Sequence, residues 1–130
     1  MNEFAKALTV SSSGLRAQAT RLRHLSENIS NADTPGYRRK TISFETALAA
    51  GRGVAQVTAG PVRLDQTELE KIHDPAHPLS DASGHYRGSN VDLLIELADA
   101  REAQRSYEAN LKMFEQTRKM STGLLELLRR

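Results

Sequence analysis

All four prolines and six of the eight glycines of this 130-residue chain fall between residues 35 and 89. That distribution constrains the fold more than any other feature, because proline removes a backbone donor and clashes with the preceding turn of a helix. The proline-free ends can run as long helices, and the middle cannot. At the N-terminal end, Leu8, Leu15, Leu22 and Ile29 recur every seven residues, with Ser11 or Ser12, Ala19, Leu25 and Ala32 at the intervening positions of the stripe. This is a heptad pattern. It predicts a helix from about Glu3 to Ala32, capped by Asn2 and closed before Pro35-Gly36, since the residue ahead of a proline avoids the helical region.

The C-terminal end carries a second such pattern from about Val91. Ser89 and Asn90 are candidate caps, and Ser89-x-x-Asp92 resembles a capping box. The stripe reads Leu93, Leu97, Ala100, Gln104, Tyr107, Leu111, Phe114, Thr117, Ser121, Leu124 or Leu125, and Leu128. Glu96, Arg101, Glu102, Arg105, Glu108, Lys112, Glu115 and Arg118 are expected mostly on other faces. At 1.5 Å per residue the two helices span about 45 and about 60 Å. Between them, Ser43 to Ala50 reads as a short helix capped by Ser43 and stopped by Gly51. Val54-Ala55-Gln56-Val57 and Leu69-Glu70-Lys71-Ile72 read as small strands, and Asp74 to Pro78 and Asp81 to Gly84 as turns. The expected division is therefore an N-terminal heptad helix over residues 1–34, a middle of loop and small β pieces over 35–89, and a C-terminal heptad helix over 90–130. The fold class is mainly α, the two terminal helices forming a coiled-coil hairpin around a small irregular, partly β middle.

Composition narrows what such a chain does. It has no cysteine, three Phe, three Tyr and no Trp, and its formal charge is only +2. Aromatic side chains usually dominate the energetics of a compact core, so their scarcity points to long thin packing surfaces. Each helix offers one apolar stripe, and a lone hairpin on a small middle is marginal. The missing burial is expected from other copies or other chains, with the termini ordering on assembly. Small residues in the seams (Ala19, Ala32, Ala100, Ala103 and Ser121) permit close approach. Periodicity alone leaves an ordinary four-helix bundle or a coiled-coil dimer open. No apolar run approaches the length of a membrane span, and the first residues do not form a secretory signal.

The residues after the first stripe, Asn28-Ile29-Ser30-Asn31-Ala32-Asp33-Thr34-Pro35-Gly36-Tyr37-Arg38-Arg39, resemble the N-terminal signature of the bacterial flagellar rod and hook proteins. There an Asn-x-x-Asn-Ala-x-Thr-Pro-Gly-Tyr pattern closes a heptad helix. The segment from Asp74 to Tyr86 is similar to a Pro-x-x-Pro-x-x-Asp-x-x-Gly-Tyr stretch of the proximal-rod branch. Ser89-Asn90-Val91-Asp92 and Arg105-Ser106-Tyr107-Glu108-Ala109-Asn110 add to the likeness. Members of that branch often carry an insertion before the Pro-x-Tyr, and here the loop is compact.

The resemblance implies a structural, non-enzymatic rod subunit that polymerises through its terminal helices into a hollow drive shaft transmitting torque. It implies partners in other copies of the chain, other rod proteins, a ring-to-rod adaptor at the base of the basal body and the flagellar type III export apparatus. It also implies a periplasmic place in the basal body, reached without a cleaved signal peptide. The same resemblance makes Asn28, Asn31, Ala32, Thr34, Pro35, Gly36 and Tyr37 the signature turn.

Helix pairing and the subunit interface are assigned to Leu8, Leu15, Leu22, Leu25, Ile29, Leu97, Tyr107, Asn110, Leu111, Phe114, Leu125 and Leu128. Asn28 and Asn31 either tie the turn to the facing helix or a neighbour, or cap local carbonyls. Tyr37 is expected to pack at a subunit contact, and Asn110 to be a buried polar group that sets register. Arg16, Arg21, Arg23, Arg38, Arg39 and Lys40 are expected to pair with acidic residues of the other helix across subunits. No binding motif accompanies them, so neither a nucleic-acid nor a small-molecule partner is expected. His73, His77 and His85 lie close in sequence, but Pro75 and Pro78 forbid the helical zinc arrangement, and His24 is expected to be solvated or at an interface. Catalytic residues, metal and cofactor are all expected to be absent.

Overall fold

The computed structural model describes residues 3–48 and 54–130. Helix α1 spans Glu3–Ser30 and helix α2 spans Leu93–Arg129, about 42 and about 55 Å of axis. Between them lie β1 (Lys40–Thr41), β2 (Phe44–Leu48), β3 (Ala55–Ala59), β4 (Arg63–Leu64), β5 (Lys71–His73) and β6 (His85–Arg87). The strands make separate antiparallel two-stranded ladders, β1 with β4, β2 with β3 and β5 with β6. The chain is thus mainly α, two helices around a small strand-containing middle.

Three local expectations need correction. Residues 44–48 form a strand and not a helix, because Phe44-Glu45-Thr46-Ala47-Leu48 pairs in register with Ala55 to Ala59. Phe44 and Thr46 suit a pleated ladder, and a tertiary partner overrides so short a helical signal. The expected stop Gly51 lies outside the described residues, as does the expected cap Asn2. The cap of α2 is Asp92, whose side chain accepts from the Leu94 N–H at 3.0 Å. Ser89 is occupied otherwise: its hydroxyl donates to the Ala32 carbonyl and accepts from the Val91 N–H. Finally, α1 stops at Ser30, so Ala32 belongs to the turn after the helix and not to its stripe.

The helices run antiparallel, since Asn28 meets Glu96, Arg21 meets Glu102, and Gly14 lies under Asn110. Carried to the end at the same register, this pairing sets Glu3 opposite Ser121. About two turns of α2 then extend past the described start of α1. The buried residues of α1 are Ser11, Ser13, Gly14, Ala17, His24, Leu25 and Asn28, and those of α2 are Glu96 and Ala103. The contact is made by small and polar groups. A Cβ on Gly14 would sit 3.0 Å from Asn110 Oδ1, so glycine lets that amide lie close without shifting. On its other side α1 receives β3, where the Val57 N–H donates to Ser13 Oγ at 3.0 Å and Val54 is buried.

Candidate functional site: a polar helix junction and an exposed face of α2

Where α1 ends and α2 begins, the signature turn folds back between them. Gly36 takes a φ of 77°, a left-handed value that favours glycine, and its N–H is shared by the carbonyls of Arg87 and Gly88. The turn delivers Tyr37, Arg39 and Lys40 to Asn28, which has no exposed surface. Asn28 Oδ1 accepts the Lys40 N–H and the Tyr37 hydroxyl, each at 2.8 Å. Its Nδ2 donates to the Lys40 carbonyl at 2.9 Å and to Glu96 Oε2 at 3.2 Å. All four hydrogen-bonding positions of the amide are filled.

Glu96 is also wholly buried, and its other oxygen accepts from Arg39 Nε at 2.6 Å. A buried carboxylate is tolerated only when paired and hydrogen-bonded, and Asn28 and Arg39 supply that here. The first turn of α2 adds a favourable helix-dipole field. Arg39 also lies 3.4 Å from Asp65 and 3.9 Å from Asp99. Asn90 completes the frame: its Oδ1 accepts the Arg39 N–H at 2.7 Å and its Nδ2 donates to the carbonyls of Asp65 and Thr67.

The titration directions follow these contacts. Burial raises the Tyr37 hydroxyl. Burial alone would lower Arg39, but Glu96 and Asp65 outweigh it and raise its pKa, which keeps the guanidinium charged. The hydrogen bond from Lys40 Nζ, 2.7 Å long, lowers Glu27, and the same bond raises Lys40. Hydrogen bonds from the Thr67 hydroxyl and N–H lower Asp65. Every group at the junction is charged or polar, and each is spent on another group of the chain, so the arrangement fastens the two helices and the turn together.

The signature residues separate in role. Asn28 ties the turn to α2. Asn31 is local: its Nδ2 donates to the Glu27 carbonyl at 2.9 Å and its Oδ1 accepts from Thr34 at 3.0 Å. Pro35 is exposed in the turn, and the Tyr37 hydroxyl is used within the chain. Of the basic residues, Arg39 and Arg21 pair with Glu96, Asp99 and Glu102 of α2 in the same molecule, and Lys40 pairs with Glu27. Arg16 and Arg23 are exposed. His24 is buried, not solvated, with Nδ1 at 3.7 Å from Glu27.

The heptad residues divide too. Leu25 is buried; Leu8, Leu15, Leu22, Ile29, Tyr107, Asn110 and Phe114 are half-buried. Asn110 donates to the Ser106 carbonyl at 3.0 Å over Gly14. Leu97 is 50% exposed, Leu111 37%, Leu125 58% and Leu128 78%, so none of these four closes the contact with α1. Leu93, Leu94, Met113, Met120, Leu124 and Leu127 are exposed on α2 as well.

Sequence reasoning assigned Glu96 to an outer face and missed Arg39, Asn90 and Asp65 as one network. A carboxylate one turn into a helix looks like ordinary surface charge, and its partners lie 57 and 68 residues away. Among the described residues no helix is long and apolar enough to cross a membrane.

Two family models match the chain. One, described as flagella basal body rod protein, covers residues 8–38, most of α1 and the turn. The other, flagellar basal body rod FlgEFG protein C-terminal, covers residues 82–127, β6 and most of α2. The flagellar basal-body rod protein FlgC of Agrobacterium fabrum is 42% identical, the match covering 99% of this chain and 98% of that protein. FlgC of Salmonella typhimurium is 31% identical over 91% of this chain and 92% of its own length. FlgC of Bacillus subtilis is 31% identical over 93% and 95%.

Proposed function

The chain belongs to the FlgC family of flagellar basal-body rod proteins, a structural subunit and not an enzyme, and from that premise we propose that it builds the proximal rod through the exposed face of α2. In this reading α1 and α2 form a coiled-coil hairpin whose inner seam is closed within the subunit. The leucines and methionines of α2 then meet the helices of neighbouring copies and of other rod proteins, and the hollow shaft so formed carries torque. Residues 1–34 and 90–130 are the assembling helices, and residues 35–89 brace them. A periplasmic location, export through the flagellar type III apparatus and contact with a ring-to-rod adaptor complete the proposal.

One observation carries it. The buried contacts of α2 are Glu96 and Ala103, while Leu94, Leu97, Leu125 and Leu128 are half or more exposed. Large apolar side chains exposed in this number on one helix of a small domain mark it as an interaction element.

The test is the double variant Leu125→Asp/Leu128→Asp, introduced as the sole copy in the host bacterium. Both side chains lie beyond the α1 pairing, so the purified variant is expected to melt as the parent does, within about 0.5 kcal/mol. It should nonetheless be missing from isolated basal bodies, and swimming should be lost. Basal bodies that retain the variant and turn normally would refute the assignment of this face.

A further inference from the structure

The β5–β6 hairpin carries chemistry that the rod assignment does not use. Its ladder sets His73 directly opposite His85, and directly opposed residues in a ladder are close enough for their side chains to interact. The two imidazole rings lie 4.7 Å apart centre to centre and are inclined by 55°. The His73 ring lies against Gly84. A Cβ on Gly84 would come within 3.2 Å of its Cε1, and Gly84 holds a φ of 79° that favours glycine.

The tautomer of His85 follows from its neighbours. Its Nδ1 lies 3.1 Å from the Ser83 carbonyl, which can only accept. It also lies 3.1 Å from Ser83 Oγ, whose proton is already given to Asp81 Oδ1 at 2.6 Å. Nδ1 therefore carries the proton, and the lone pair of neutral His85 is on Nε2. A backbone carbonyl holding one imidazole N–H while the other nitrogen stays free is how proteins orient histidine toward a metal. Among the described residues the His73 ring makes no hydrogen bond at all.

We propose that His73 and His85 form a two-imidazole chelate for a borderline divalent transition-metal ion of the Zn2+ type, clamping the β5–β6 hairpin. Two nitrogens on a tetrahedral zinc at about 2.05 Å are about 3.3 Å apart. The His73 ring, which no hydrogen bond holds, reaches that separation by rotating about χ2 while His85 keeps its bond to Ser83. The described residues hold no group of three or more His, Cys, Asp or Glu able to share an ion, so water fills the other positions and binding is modest. Imidazole ligands favour zinc, nickel and copper over magnesium and calcium. The helical zinc arrangement excluded by Pro75 and Pro78 is not needed, because the pair is formed across strands. The proposal is independent of the rod reading, although the clamped hairpin is the one whose Arg87 and Gly88 carbonyls receive Gly36.

The test is a ZnCl2 titration of the full chain, followed by the imidazole resonances of all four histidines, with MgCl2 as the hard-cation control. His77 serves as an internal reference: its Nδ1 accepts the Leu79 N–H, and its ring stacks on Tyr86 at 3.9 Å. Saturable shifts at His73 and His85, reversed by a chelator and not produced by Mg2+, are expected. His24 and His77 should stay in place. Losing a ligand should weaken binding at least as much as losing an outer-shell partner, so His73→Gln and His85→Gln should each raise Kd about tenfold or more. No saturable response of the parent chain up to millimolar zinc would overturn the proposal, as would equal movement of all four histidines. The parent titration decides the matter even if a variant disturbs the hairpin.

Discussion

Helices α1 and α2 are built from similar heptads, yet the fold treats them in opposite ways. α1 packs against α2, β3 and β1, and seven of its residues are buried. α2 is nine residues longer and has the larger count of leucines, but it packs mainly on α1 and buries only Glu96 and Ala103. The helix with the fewest buried residues carries the most exposed apolar side chains. The lesson is that the contact within the molecule is made largely by small and polar groups, while the leucines of α2 stay exposed, and the proposed assembly would use them.

If so, substitutions in the polar junction should unfold the subunit, and substitutions on the leucine face should not. Glu96→Ala is expected to have the largest effect. It strands Arg39 and one donor of Asn28, and breaking a buried pair costs about 3–5 kcal/mol, measurable as a fall in the denaturation midpoint. Asn28→Ala comes next at about 2–3 kcal/mol, since it leaves the Lys40 N–H and a Glu96 oxygen unsatisfied in a buried site. A variant of either kind with unchanged stability would break the comparison.

Gly14→Leu should cost about 1–3 kcal/mol by overpacking against Asn110. Gly14→Ala should be milder, because helix propensity returns about 1 kcal/mol while only the end of one amide must shift. The smallest effect concerns acid. The Ser83 hydroxyl and the His85 and Ser83 N–H groups hold Asp81 down to a pKa of about 2. Its contribution to the turn is therefore present above the unfolded-state value of 3.8 and is lost as pH falls through about 2. A carboxyl NMR titration of Asp81 with a midpoint near 4 would show that the hairpin turn is not closed in solution.

How far the sequence carried the reading depends on the range of the forces involved. Proline placement and seven-residue spacing located both helices, because those signals act within a few turns. The strand at residues 44–48 was missed because its stabilising partner is Ala55 to Ala59 and not its own neighbours. The capping pattern points to Ser89 or Asn90, whereas Asp92 caps the helix, because Ser89 is claimed by Ala32, far away in sequence. Glu96 was set on the surface because a charge declares itself buried only through its partners. Leu97 and Leu111 fit a seam as well as Ala103 does, and the choice was made by Gly14 and Asn110 packing face to face.

Gly14 against Asn110 and Asn28 against Glu96 stand fourteen residues apart along α1, about 21 Å of axis. Two parallel rods that merely touch bend easily, because each slides past the other as the stack curves. Bolted by a hydrogen bond at one station and by close packing at the other, they resist shear, and flexing then stretches one ply while it compresses the other. The subunit is thereby a laminated beam, stiffest between its bolts and compliant in the free length of α2 beyond them.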